Sequence, residues 1–156
     1  MTVQERWDAV RPTVPALAIG VACAAVGGLL SAVNSVNPTE HGSWAAAYLV
    51  LVMGLGQIAL ALGQALLAGT PASRPVLLTQ FLTWNVGGAV VLVGTLVGPA
   101  LLVDVGGILL VLTLALVVAS VRTRGPGPRW HRILFLALVL VLLVSIPIGL
   151  VLSRTS

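Results

Sequence analysis

A chain of 156 residues in which 58% of positions are hydrophobic and only 8% charged has too little polar surface to face water all round, since soluble domains carry about a quarter charged residues. The net charge of +4 does not point to nucleic acid: all eight basic residues are arginines and they stand between apolar runs, whereas phosphate-binding proteins gather cations on one face. The single cysteine, Cys23, excludes an internal disulfide framework and a thiolate zinc site.

The chain opens on a polar leader with Glu5, Arg6, Trp7, Asp8 and Arg11, followed by a first apolar run over 14–33. That run exceeds the ~7–15 residues of a signal-peptide core and its leader carries acidic residues, so it reads as a retained helix. Ala16, Gly20, Ala24, Gly28 and Ala32 recur at every fourth position within it. Small residues at that spacing let another helix approach closely, which matters where lipid supplies no hydrophobic drive between helices. Cys23 reads as a small apolar filler in the same run.

A polar break follows, with Asn37 before Pro38, and Ser43 is placed to cap the next helix. The second run, 44–68, contains Gln57 and Gln64, seven residues apart and hence on one face. Arg74 and two prolines interrupt the chain before the third run, 76–97. Its packing face reads Gln80, Trp84, Gly87, Val91, Gly94 and Gly98 in steps of three and four, with Asn85 beside it. Gly98 and Pro99 then separate the third run from the fourth, 100–121. Without that break 46 residues would form one helix, about 69 Å long. Gly-Pro stops a helix firmly, so a tight hairpin is expected. The stretch 122–131 is the most polar of the chain, and the fifth run, 132–153, contains Pro147, a natural kink.

Each run holds 20 to 25 residues, and ~20 residues of helix cross a ~30 Å hydrocarbon core. Strands with the ~10-residue alternation of a membrane barrel are missing. The expected fold is therefore all-α: one domain over 1–156, an integral membrane bundle of five transmembrane helices. Alternating the helices places Arg6, Arg11, Arg74, Arg122, Arg124, Arg129 and Arg132 on one side and Arg154 alone on the other. Arginine accumulates on the cytoplasmic side, so the N-terminus is expected inside and the C-terminus outside, in the plasma (inner) membrane. Trp7, Trp44 and Trp130 then fall at the water–lipid boundary, where indole rings anchor.

Gln57, Gln64, Gln80 and Asn85 are the polar side chains expected at membrane depth. Gln64 and Gln80 each lie eight residues from Ala72, so the hairpin brings them to one height. They are expected to hydrogen-bond to each other or through a shared third residue, each such bond contributing ~0.6–2 kcal/mol. By the same count Gln57 lies level with Gly87. No ionisable residue approaches the midplane, which argues against a proton-coupled pump or an ion carrier. At the outer end Glu40, His41 and Asp104 form a possible polar cluster; converging, they would make a histidine–carboxylate site for a metal or a proton. His131 belongs to the opposite end, facing headgroups, so the two histidines cannot share a metal or a haem. Phosphate-loop, nucleophile-elbow and zinc-hydrolase signatures are absent. No catalytic residue and no cofactor is expected.

From His41 through Trp44, Tyr48, Gly54, Gly56 and Gln57 the second run resembles a helix of haem-copper-oxidase-like membrane proteins. There the ligating histidines lie within facing helices, and the partner histidine has no counterpart here, so the resemblance carries no haem site to His41. The chain as a whole is similar to small multi-pass membrane proteins of high-GC actinobacteria, which implies a membrane fold and no particular activity. Read together, these features describe a non-enzymatic accessory or scaffold subunit. It would contact lipids and pack with other membrane subunits or with itself, without nucleic acid. A small oligomeric transporter or channel around Gln57 and Asn85 is one alternative; a haem- or metal-binding redox subunit, depending on His41, is the other.

Overall fold

Runs this apolar satisfy their backbone groups internally by becoming helices, and that is what forms. The structure, a computed structural model, describes residues 3–67, 72–121 and 129–155, and all regular elements among them are helical. A short helix α1 (Val3–Val10) passes through one 3-10 turn (Arg11–Thr13) into α2 (Val14–Asn34). Next comes one continuous helix, Glu40–Leu67. It consists of α3 (Glu40–Tyr48), a π-helical stretch (Leu49–Gly56) and α4 (Gln57–Leu67). Then follow α5 (Arg74–Val97), α6 (Ala100–Val121) and α7 (Arg129–Thr155).

Four helices are long and apolar enough to cross a membrane: Arg11–Asn34, Glu40–Leu67, Arg74–Val97 and Ala100–Val121. The fifth run forms α7, whose described apolar part, Trp130–Val144, is shorter. Pro147 does not end α7. The arginine-bearing stretch 122–128 lies outside the described residues.

The helix starts differ from expectation for local reasons. The polar leader is already helical as α1, and Pro12 and Pro15 after it occupy first-turn positions of the next two elements, where a missing N–H removes no bond. The second helix starts at Glu40, not at 44, because Thr39 and not Ser43 is its cap. Thr39 is extended, and its hydroxyl accepts from the Gly42 N–H at 3.1 Å. Asn34 ties this turn together. Its Oδ1 accepts from the Thr39 N–H at 3.1 Å and its Nδ2 donates to Ser43 Oγ at 2.9 Å.

The α5–α6 hairpin turns as expected at Gly98, whose φ of 102° suits glycine alone, with Leu102 N–H donating to Pro99 O. Gln80, Trp84, Gly87, Val91 and Gly94 are all buried on the face predicted for them. Close approach is strict at Gly106, where an added Cβ would lie 2.6 Å from the Gly87 carbonyl oxygen. Thr83 and Thr113 hydroxyls meet across the same interface at 2.6 Å. α6 is central: Leu110, Leu114 and Val121 are the most completely buried side chains, joined by Trp84, Leu60, Phe135 and Val139 in one core.

On α2 the fourth-residue stripe is corrected. Gly20 packs under Gly54 and Ile58, and Ala24 meets Gly54, but Gly28 has open space before it. Gly27, against Ala46 and Val50, takes its place. At 3.6 residues per turn a spacing of four drifts ~40° per step, so a straight contact line must shift back by one residue.

Candidate functional site: a polar-walled cavity

At the end of the bundle that carries Arg11 and Arg74, the helices do not close on one another. The start of α2, the length of α4, the first half of α5 and two residues of α6 surround a cavity of about 1090 Å³. Small side chains on three walls, Ala16, Ala61 and Ala72, leave the room. Arg11, Arg74, Gln64 and Gln80 also border it, with Gln57, Trp84 and Thr113 further along their helices from that end. From Arg74 to Trp84 is ten residues of α5, ~15 Å along the axis or half of a ~30 Å hydrocarbon core.

The local chain path explains how the amides arrive there. The π stretch ends at Gly56, so Gln57 opens α4 with a rotated side chain; π-bulges frequently occur at functional positions. Gln57 donates through Nε2 to the Ala16 carbonyl of α2 at 3.0 Å, which leaves its Oε1 on the other side of the amide. Gln80 donates to Ser120 Oγ on α6 at 3.3 Å, and Ser120 passes its own proton to Leu116 O. The hydrogen bond expected between Gln64 and Gln80 is thus replaced by one from Gln80 to α6, although the two residues border the same cavity. Gly87, expected opposite Gln57, faces α6 instead. Asn85 donates to Phe81 O on its own helix and is not part of the wall.

Among the described residues, three buried polar atoms have no hydrogen-bond partner: Gln57 Oε1, Gln64 Nε2 and Trp84 Nε1. All three residues border this cavity, with exposures of 4%, 5% and 3%. A buried group left unsatisfied costs about 1–3 kcal/mol, and native proteins hold few of them. The three residues that carry these atoms stand together at one cavity. The set comprises two donors and one acceptor. No carboxylate, thiol or imidazole stands among the described lining residues.

The outer polar residues are elsewhere. Glu40 and His41 are exposed in the first turn of α3, while Asp104 is half-buried in α6 and engaged in interactions of its own. Among the described residues no group of three or more His, Cys, Asp or Glu is placed to hold a metal ion. His131 stacks on Trp130 at 3.8 Å. Trp7, Trp44 and Trp130 are exposed.

Sequence reasoning singled out the three glutamines but took Trp84 for packing and Arg11 and Arg74 for topology. The available signal was the indole N–H, which needs a partner wherever the ring is buried. Comparison with family models, with curated proteins and with solved structures finds no match.

Proposed function

We propose that this protein is a plasma-membrane binding protein for a small molecule, acting as a carrier or a receptor subunit, with a cavity that opens to the cytoplasm. The carrying observation is that Gln57, Gln64 and Trp84, each with a buried polar atom lacking a described partner, border one cavity reaching half the depth of the membrane. The cytoplasmic side follows from the arginine distribution, since Arg11 and Arg74 stand at the rim. Polar groups at such depth ordinarily mark a substrate path, and transporters place their sites near the midplane. Filling the cavity tests this. Protein purified in mild detergent should release a small molecule on denaturation that is absent from the Ala61→Phe variant, as read by mass spectrometry. The same yield of that molecule from both proteins would contradict the reading.

A second reading, an accessory subunit packing with another membrane protein or a second copy, has one observation behind it. The outward face of α2 presents exposed Ala25, Gly28 and Ala32, and nothing lies within 4 Å of where a Gly28 Cβ would be. A neighbouring helix could approach closely there.

A further inference from the structure

We infer that the ligand of this cavity is an organic anion with an apolar body, held by Arg11 and Arg74 at the rim and by Gln64 and Trp84 further in; this rests on the cavity being a binding site. The two arginines reach the rim from different elements, the 3-10 turn and the first residue of α5. Both are exposed, and no described carboxylate pairs with either; Asp8, the described acid at this end, is itself exposed to water. Two guanidinium groups at one opening with no counter-charge among the described side chains favour an anion, which they can grip with paired, charge-assisted hydrogen bonds. The start of α5 adds to this. Ser73 makes no side-chain capping bond there, so the positive end of the helix dipole is not offset by a cap side chain.

Beyond the rim the walls are apolar, with Pro12, Leu60, Leu77, Phe81 and Val117. On α4 the unpartnered Gln64 stands one turn nearer the rim than Leu60, and Gln57 and Trp84 lie further in. From the rim inward, cations are followed by hydrocarbon interleaved with amide and indole groups. That order complements a carboxylate or phosphate on an apolar body whose far end carries an oxygen acceptor.

The test uses the full chain in phosphatidylcholine nanodiscs, with Trp7→Phe, Trp44→Phe and Trp130→Phe leaving Trp84 as the emitter. Three nitroaromatic quenchers of one shape are titrated: para-nitrobenzoate, para-nitrobenzamide and para-nitrobenzylammonium. The benzoate should quench saturably, at a concentration at least ~10-fold below the amide, as charge-assisted bonds imply. That advantage should vanish in Arg11→Gln/Arg74→Gln protein whose circular dichroism and unquenched emission match the parent. Equal saturable quenching by all three, or an advantage that survives the double substitution, overturns the anion while leaving the cavity a binding site. Absence of saturable quenching by any of them removes the binding site as well. Phosphatidylglycerol in the discs separates two sources of the same chemistry. If it weakens benzoate binding to the parent protein but not to the double variant, a lipid headgroup competes for the arginines; if it affects neither, the anion comes from solution.

Discussion

Gln64 and Gln80 are the same residue type at the same height, yet their surroundings give them opposite roles. Gln80 has a partner in Ser120, so Gln80→Met should lower stability by about 0.6–2 kcal/mol. Gln64 leaves its Nε2 unpaired, and Gln64→Met should raise stability by about 1–3 kcal/mol, the penalty of an unsatisfied buried group. Thermal melts in one detergent check both signs. A Gln64→Met protein that melts below the parent would mean that the amide holds the fold together and is not reserved for a ligand. Stabilisation at the expense of binding is the usual signature of a functional position. The sequence made these amides legible as polar groups at depth, because with Gln57 and Asn85 they are the amide side chains of the five runs. It could not divide them into bonded and unbonded, since that depends on Ser120 lying on α6 beside Gln80, a matter of helix rotation and not of spacing.

At the scale of the helices, the contact line of α2 separates two adjacent glycines. An added Cβ at Gly27 would come within 2.9 Å of the Ala46 carbonyl, whereas Gly28 has no neighbour within 4 Å. Gly27→Leu should therefore destabilise by about 1–3 kcal/mol and Gly28→Leu should stay within about 0.5 kcal/mol as a monomer. Equal melting of the two would place α2 in a different rotation. If Gly28→Leu instead changes the oligomeric size in detergent, the outward face of α2 is an interface. Apolar length and the Gly98–Pro99 turn were enough to place the spans within a few residues, because both depend on local chemistry. The π stretch Leu49–Gly56 was not readable. It widens the helix where Gly54 lies against Ala24, and only the neighbouring helix creates that demand. Similarly Asn34, from the preceding helix, bonds both Thr39 and Ser43 at the helix start, a contact that spacing alone does not announce.

For the whole molecule, the proposed arrangement puts the cavity mouth and Ser73 in the cytoplasm and Ser35 outside. In a Cys23→Ala background, Ser35→Cys should react with an impermeant thiol reagent in intact cells and Ser73→Cys should not; labelling of Ser73→Cys from outside would invert the bundle. The most direct measurement of the central claim is made inside it. Ala61 is 8% exposed yet borders the cavity at depth, while Ala115 is exposed on the outer face of α6, toward lipid. Ala61→Cys should react with a small charged methanethiosulfonate added to inside-out vesicles, where the cytoplasmic face is accessible, and should resist it in right-side-out vesicles. Ala115→Cys should resist it in both. Reaction of Ala61→Cys from the cytoplasmic face alone is the expected result, and protection from both sides would contradict the existence of an open, polar-walled cavity.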